Sequence, residues 1–318
     1  MQTKNTLPAG AFSTVPWRMA TLLCLALLLL LSQAGCDRND TTEEPVIRLD
    51  KLVPLPESSP AVASDSLRVA VAAIISPQGT IQSYQPFIHY LEKKTGRNIV
   101  LVQRKTYQEV NDMLARGVVE VAFVCTGAYW EGRRAGSMDL LVVPQVNGKL
   151  TYQSLLIAPH HSRATGMEGL RDKVFAFTDP LSNSGYMYPL SVLHKAGESP
   201  ETFFSRTIFT YSHDRSIVSV IEGIADGAAV DSIIYESLIQ KDPEIGKLSK
   251  IIYRSPEFGI PPVVVPKHIK PETAALLKEL FLDAHTDPDG SKALAEIGVE
   301  RFVEADEAMY DPYSLDKE

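Results

Sequence analysis

From Leu67 onward, apolar strand-like runs alternate with segments in which apolar residues recur at helical spacing. The first three strand-like runs are Leu67–Ile74, Ile99–Val102 and Val119–Val124. The two helical stripes between them are formed by Ile81, Tyr84, Ile88 and Leu91, ended by Gly96, and by Tyr107, Val110 and Leu114, ended by Gly117. This alternation predicts βαβ units around a mostly parallel sheet.

A second α/β block follows the run Ser154–Ala158. Its predicted strands are Val174–Phe177, Thr207–Thr210 and Gly227–Val230. The runs Ile251–Tyr253 and Pro262–Val265 then lead to a C-terminal helix that carries Ala274, Leu277, Leu280 and Phe281 on one face. Two α/β lobes joined by extended segments predict a cleft between them, where small ligands commonly bind. We assign residues 67–156 and 260–318 to lobe 1 and residues 157–259 to lobe 2.

The first 35 residues have the pattern of a secretory signal. Lys4 and Arg18 carry the only charges before the apolar run Met19–Leu31, which is 13 residues long. Such a run is too short to cross a bilayer, which takes about 20 apolar residues. It fits the apolar region of roughly 7–15 residues in a signal peptide. We therefore expect residues 1–35 to direct export.

The segment Ser32–Cys36 resembles the lipobox of bacterial lipoproteins, in which small residues precede a cysteine that is acylated. Ala34, Gly35 and Cys36 match the lipobox, whereas Gln33 stands where an aliphatic residue is usual. We expect Cys36 to be the lipidated N-terminus of the mature protein. An ordinary signal cleaved nearby and an uncleaved anchor are the alternatives.

Residues 36–66 are rich in Asp, Glu, Pro, Ser and Thr, a composition typical of a flexible tether. The whole chain is 45% hydrophobic and 22% charged, as in a soluble globular protein with an ample core. Its net charge of −8 disfavours non-specific binding to nucleic acid or to anionic lipid surfaces.

The three cysteines exclude an intramolecular disulfide framework. Cys24 leaves with the signal and Cys36 is used if it is lipidated, so that Cys125 has no partner. The seven histidines are scattered, and no Cys or His cluster has the spacing of metal ligands. We therefore expect neither a metal nor a cofactor.

The stretch Asp179–Tyr186 follows an apolar strand and opens a helical pattern. Backbone N–H groups at a helix start are unpaired and lie at the positive end of the helix dipole, so this junction is suited to bind an anion. Hydroxyl and amide side chains add donors. Plain helix capping by Ser and Asn is the alternative.

Three further segments also lie where a strand gives way to a helix. In Tyr211–Asp214, His213 can donate to an anion while Ser212 or Asp214 caps the helix, although a lone histidine is more often structural. Asp231 follows a strand and points to a ligand crevice or caps the next helix. In Thr126–Tyr129, Tyr129 offers a phenolic O–H.

Taken together, these segments resemble the periplasmic binding proteins of phosphate, phosphite and phosphonate ABC transporters. The resemblance covers roughly Leu67–Tyr313. It rests on Tyr84–Phe87 with Leu91–Gly96, Val121–Phe123 before Gly127–Tyr129, the Asp179–Tyr186 element, Ser212–Asp214 and Asp226–Asp231. It implies a type II two-lobed periplasmic binding protein fold with the ligand cleft between the lobes.

The resemblance also implies which residues hold the phosphorus oxyanion. They are Tyr84, Tyr129, Ser182, Asn183, Ser184, Gly185, His213 and Asp231. Asn183 replaces the threonine of the family's Ser-Thr-Ser element, and Cys125–Gly127 departs from the commoner Gly-Pro-Leu type of turn.

The carboxylate of Asp231 constrains the ligand. Beside a fully ionised dianion in a closed cleft it would be repelled. We therefore expect a ligand that presents a donor to Asp231, either the P–OH of a monoanion or an ammonium group.

The resemblance implies an extracytoplasmic, lipid-anchored receptor that delivers a small phosphorus anion to the permease of an ABC importer. A sensor of the same fold that signals to a membrane receptor is one alternative. An enzyme with Cys125 as nucleophile and His213 as base is a remote one, because Cys125 follows a strongly apolar strand and no nucleophile elbow or P-loop is present.

Overall fold

The computed structural model describes residues 66–304 and 306–310, and the predicted leader, most of the tether and Cys36 lie outside that part. Its strands are β1 (Leu67–Val71), β2 (Ile99–Gln103), β3 (Val121–Phe123), β4 (Met138–Gln145), β5 (Thr151–Tyr152), β6 (Ser154–Pro159), β7 (Val174–Phe177), β8 (Arg206–Phe209), β9 (Gly227–Asp231), β10 (Ser249–Arg254), β11 (Phe258–Gly259), β12 (Val263–Pro266) and β13 (Arg301–Val303).

Ten α-helices are found among the described residues. They are α1 (Pro77–Thr95), α2 (Tyr107–Ala115), α3 (Thr126–Arg134), α4 (Tyr188–Lys195), α5 (Pro200–Phe203), α6 (His213–Ile221), α7 (Ser232–Lys241), α8 (Glu244–Leu248), α9 (Pro271–Asp283) and α10 (Pro288–Glu296). A π-helical turn, Asn183–Met187, leads directly into α4. No helix of the described part is long and apolar enough to span a bilayer.

Two sheets define two lobes. The sheet of the first lobe has the order β13-β4-β12-β3-β1-β2, and that of the second lobe has the order β10-β6-β9-β7-β8. The short strands β5 and β11 pair with each other, beside the places where the chain passes between the lobes. The two-lobed α/β architecture expected from the sequence is therefore present.

The expectation of mostly parallel sheets is wrong. In each sheet only the three strands joined by helices are parallel, β1 to β3 in one and β7 to β9 in the other. The chain enters the second sheet on β6 and returns to the first on β12, and both strands pair antiparallel with their neighbours. A strand that crosses between lobes arrives from the opposite end of the sheet, so it runs against the βαβ strands.

The predicted helical stripe of α1 forms in part. Ile88 and Leu91 are buried and Tyr84 is half-buried, whereas Ile81 is 51% exposed and Phe87, outside the predicted stripe, is buried. Each fully buried side chain of this size contributes about 1.5–3 kcal/mol. Gly96 ends α1 in the left-handed region, with φ 64°, and its N–H donates to the carbonyl of Glu92. These contacts hold α1 against the first sheet.

The carboxyl ends of the parallel strands of the two sheets face each other. The segment after β1 contacts the start of α6, where the N–H of His213 donates to the carbonyl of Ile74 at 2.9 Å. The N–H of Tyr107, after β2, donates to Asp179 Oδ2, after β7, at 3.1 Å. The segments that the sequence singled out therefore meet in the cleft between the lobes.

Candidate ligand-binding site

His213 and Asp231 lie side by side at the ends of β8 and β9. The backbone N–H of Asp231 donates to His213 Nδ1 at 3.1 Å, which makes Nδ1 an acceptor and places the ring proton on Nε2. Within the described part of the chain, Nε2 has no hydrogen-bond partner. His213 is buried, 1% exposed, so this N–H is a donor that the described residues leave available.

Three buried hydroxyls lie in the segments that surround this pair. Ser184 Oγ, Ser212 Oγ and Tyr107 Oη have no hydrogen-bond partner among the described residues. A buried polar group without a partner costs about 1–3 kcal/mol, and native proteins contain few of them. Together with His213 Nε2, these hydroxyls form a set of donors that a small oxyanion can satisfy.

The first lobe supplies Cys125 and Tyr107 to the same place. The thiol of Cys125 lies close enough to the backbone N–H groups of Asn183 and Gly127 and to the Ser182 side chain for all three to affect its pKa. The Tyr107 hydroxyl is close enough to Cys125 and Asp231 to be affected electrostatically by both. The cluster is thus built from both lobes.

Tyr152 contributes from the short strand β5, beside the crossing between the lobes. Asn183 Nδ2 donates to the Tyr152 hydroxyl at 3.1 Å, and both residues are buried. This bond uses one of the amide donors of Asn183 and orients the side chain toward β5.

The cluster is close to neutral. Burial lowers the pKa of His213 to about 3, raises that of Asp231 to about 7 and raises that of the Cys125 thiol to about 11. No lysine or arginine is among the described groups that shift these three values. An anion in the cluster would therefore be held by neutral donors and helix N-termini rather than by a cation.

Asp231 has a structural role as well. Its Oδ1 accepts the N–H groups of Ile233 and Ile234, so it caps α7, as one of the two sequence interpretations proposed. It also lines a cavity of about 80 Å³ between the lobes, where it is the only charged residue of the lining. Tyr84 lines the same cavity, and its ring packs edge-on against Phe123 at 4.9 Å between centroids.

Ser182 and Gly185 have structural reasons to be where they are. Ser182 Oγ accepts the N–H of Gly185 at 3.0 Å, so the predicted helix capping is present. A Cβ at Gly185 would collide with the side chain of Thr178. Gly127 is similarly constrained, because a Cβ there would collide with the carbonyl of Leu181 across the cleft.

Tyr129 is the one singled-out residue that the structure does not bring to the cluster. Its buried ring packs edge-on against Tyr310, with centroids 4.9 Å apart. Its hydroxyl lies near Arg133, Glu307 and Asp139, which affect its pKa. A tyrosine at the third residue after a helix start can point into the lobe core, and Tyr129 does so.

The expectation that Ser212 or Asp214 caps α6 is met only in part. The Ser212 side chain makes no capping bond, and its hydroxyl stays without a partner in the described part of the chain. Asp214 Oδ1 accepts the N–H of Arg215 in the first turn of α6 at 3.0 Å. Both carboxylate oxygens of Asp214 also accept the N–H of Ser76, each at 3.0 Å, from the other lobe.

Sequence reasoning missed the hydroxyls of Tyr107 and Tyr152. Tyr107 occupies a strand-to-helix junction of the same kind as the four segments singled out, so the same rule could have found it. Because Tyr107 belongs to an apolar helical stripe, the sequence pattern indicated a core residue. Tyr152 had no such signal, because β5 is only two residues long.

The fold and this interlobe cluster define a two-lobed binding protein of the type II periplasmic class. The profile of the family described as "ABC transporter, phosphonate, periplasmic substrate-binding protein" matches residues 69–310. The chain therefore belongs to the family of periplasmic substrate-binding proteins of phosphonate ABC transporters. Members of this family are transport proteins and not enzymes, and the raised thiol pKa of Cys125 also makes it a poor nucleophile.

Two characterised relatives are similar in sequence. The "Phosphate-import protein PhnD" of Mycolicibacterium smegmatis is 30% identical over 211 residues, which are 63% of this chain and 65% of that protein. The chain thus matches slightly under two thirds of that protein's length. The "Phosphonates-binding periplasmic protein" of Escherichia coli is 23% identical over 248 residues, 76% of this chain and 73% of that protein.

Two solved structures share the fold. A binding protein component of an ABC phosphonate transporter from Pseudomonas aeruginosa superposes with a TM-score of 0.72 at 23% identity, over 77% of this chain and 83% of that one. PhnD1 from Prochlorococcus marinus, in complex with methylphosphonate, superposes with a TM-score of 0.70 at 17% identity, over 79% and 96%.

Proposed function

We propose that this protein captures a small phosphorus oxyanion (a phosphonate, phosphite or phosphate) outside the inner membrane and delivers it to an ABC importer. The proposal rests on one observation above all. Buried hydroxyls of both lobes lie in segments that meet between the lobes, and they have no partner among the described residues. The names of the similar proteins, one importing phosphate and one binding phosphonates, support the same ligand class.

We further propose that the ligand binds as a monoanion with a P–OH group, or carries an ammonium group. Burial raises the pKa of Asp231 to about 7, and no lysine or arginine is among the described groups that shift it. A second full negative charge on the ligand would be repelled there, whereas a P–OH or an ammonium group can donate to the carboxylate. The otherwise uncharged cavity beside Asp231 has room for a small substituent on phosphorus.

For the rest of the chain, we propose export by residues 1–35 and acylation at Cys36. Residues 36–66 would then be a tether that keeps the receptor near its permease. The proposed boundaries of the folded body are residues 67–156 with 260–318 for lobe 1, and 157–259 for lobe 2. Mass spectrometry of the mature N-terminus tests the anchor, and an unmodified Cys36 would contradict it.

The ligand proposal is tested by calorimetric titration of the mature protein. The ligands are phosphate, phosphite, methylphosphonate and 2-aminoethylphosphonate, with sulfate as the matched control. Sulfate has the same tetrahedral shape but no proton to donate at neutral pH. We expect at least one phosphorus anion to bind, and sulfate to bind at least about a hundredfold more weakly, as for an unpaired buried acceptor.

Two outcomes would contradict the proposal at different levels. No binding of any phosphorus anion would refute the phosphorus ligand. Binding of sulfate as tight as that of phosphate would leave an oxyanion receptor but remove the role of Asp231. The Asp231→Asn variant gives the complementary test, because equal affinity for every ligand in variant and parent would also remove that role.

A further inference from the structure

Two carboxylates of the second lobe reach across the cleft to helix starts of the first lobe. Asp214 accepts the N–H of Ser76 with both oxygens, at 3.0 Å each. Asp179 accepts the N–H of Tyr107 with Oδ2 at 3.1 Å. Ser76 precedes α1 and Tyr107 is the first residue of α2, so each carboxylate lies at the positive end of a helix dipole.

The N-terminus of α1 has no cap of its own. Ser76 makes no side-chain capping bond, and the first turn of α1 contains no acidic residue. From the other lobe, Asp214 thus accepts the N–H of the residue before the helix, as the third-position carboxylate of a capping box does. The bond is lost when the lobes separate, because its two partners belong to different lobes.

Asp179 also joins the two lobes, but it does so from a buried position in the loop after β7. It is 1% exposed, and its Oδ1 accepts the N–H of Leu181 at 2.8 Å within its own loop. One carboxylate therefore ties the Ser182–Gly185 segment to the start of α2. The residue that it holds, Tyr107, carries one of the unpartnered hydroxyls of the cluster.

Both carboxylates adjoin residues of the candidate site. Asp214 follows His213, whose own N–H donates to the carbonyl of Ile74 in the first lobe at 2.9 Å. Lys105 adds a cation–π contact across the cleft, with Nζ 5.0 Å from the centroid of Tyr211. Closure and assembly of the site therefore use the same short segments.

We propose that Asp179 and Asp214 are positioning residues that stabilise the closed arrangement of the lobes, strongly enough for the free protein to populate it. This inference deepens the proposed function. Only the part of it that concerns ligand release rests on that function. A hydrogen bond to a charged group contributes about 1.5–3 kcal/mol, which corresponds to roughly a tenfold to hundredfold change in the ratio of closed to open protein.

The test measures the distance between spin labels on the exposed positions Gln108 and Lys195, one in each lobe. The labels are attached through azide-bearing residues, so the native cysteines stay untouched. We expect the free mature parent to show a closed distance. In Asp214→Ala the ratio of closed to open protein should fall at least about tenfold. In Asp214→Asn the ratio should fall less, because one acceptor oxygen remains. The ratio in Asp179→Asn should be similar to that in Asp214→Asn.

Asp226→Asn is the matched control. Asp226 Oδ2 also accepts a backbone N–H, that of Val174 at 2.9 Å, but within the second lobe. It should leave the distance distribution unchanged. A free parent with only the open distance, or variants that match the parent, would overturn the proposal, and both results are read without any ligand.

With a bound ligand the same variants should release it faster. We expect the dissociation rate to rise about tenfold in Asp214→Ala while the association rate stays the same or rises, because the ligand enters the open protein, which the variant populates more. If no phosphorus anion binds at all, the proposed function fails while the distance measurement still decides the role of the two aspartates.

Discussion

The two lobes contribute to the candidate site in different ways. The second lobe supplies donors from short segments at the ends of consecutive strands, with Ser184, Ser212 and His213 left without partners for one atom each among the described residues. The first lobe supplies the hydroxyl of Tyr107 and the thiol of Cys125, together with backbone groups held by carboxylates of the other lobe. The comparison suggests that the second lobe recognises the ligand and that the first lobe encloses it.

The sharpest way to break this comparison is Ser184→Ala. Because Ser184 Oγ has no partner within the described part of the chain, its loss should leave the free energy of unfolding unchanged. Affinity for the phosphorus anion should fall about tenfold to hundredfold, since a hydrogen bond to a charged ligand is lost. Titration calorimetry and denaturant unfolding measure the two quantities.

Ser182→Ala is the control in the same turn. Ser182 Oγ caps the N–H of Gly185, so this variant should lose about 1 kcal/mol of stability as well as affinity. If Ser184→Ala lost stability but kept its affinity, the second lobe would not have the recognition role given to it here.

In the first lobe, the corresponding variant is Tyr107→Phe. We expect a loss of affinity of about tenfold, at the lower end of the range for Ser184→Ala, because a hydrogen bond to the anion is lost here as well. Stability should be unchanged or slightly higher, because a buried hydroxyl without a partner among the described residues is removed. Tyr129→Phe is the control, and its affinity should equal that of the parent because its hydroxyl lies near Arg133. A larger loss of affinity in Tyr129→Phe than in Tyr107→Phe would instead support the sequence-based prediction that Tyr129 binds the ligand.

A separate prediction concerns how the stability of the protein depends on pH. Burial raises the pKa of Asp231 from 3.8 to about 7, so the folded chain keeps a proton that the unfolded chain releases between these values. This group therefore lowers the parent's stability as pH rises from about 4 to 7, by at most about 1.4 kcal/mol per pH unit. Asp231→Asn lacks the effect, so its stability relative to the parent should increase over that range.

His213 acts in the opposite direction. Its pKa is lowered to about 3 by burial, so it makes both proteins more stable as pH rises toward 6.5, and it cancels in the difference between them. Denaturant unfolding at several pH values measures that difference. A difference that is constant between about pH 4 and 7 would contradict the raised pKa of Asp231.

Much of the fold could be predicted from the sequence because its βαβ units are marked by short-range sequence patterns. The predicted stripe residues Ile88 and Leu91 and the caps at Gly96 and Thr106 are short-range signals. Strand direction could not be predicted for β6 and β12, since it depends on the path of the chain between the lobes.

The candidate site shows the same difference between features that short-range patterns predict and features that depend on packing. Ser182–Gly185, His213 and Asp231 lie at strand ends, where local rules apply, and the structure brings them together. Tyr129 and Tyr107 are both tyrosines near helix starts, and only the packing of each helix decides which hydroxyl faces the cleft. The contact of Asp214 across the cleft could not be predicted from the sequence either, because its partner Ser76 is 138 residues away in the chain.

A crystal structure of the mature protein with methylphosphonate tests the central claim most directly. We expect the phosphonate oxygens to lie between the lobes, within about 2.5–3.2 Å of Ser184 Oγ, His213 Nε2 and Tyr107 Oη. We also expect a phosphonate oxygen within hydrogen-bond distance of an oxygen of Asp231. A ligand bound elsewhere, or bound in the cleft without contacting Ser184 and His213, would contradict the account.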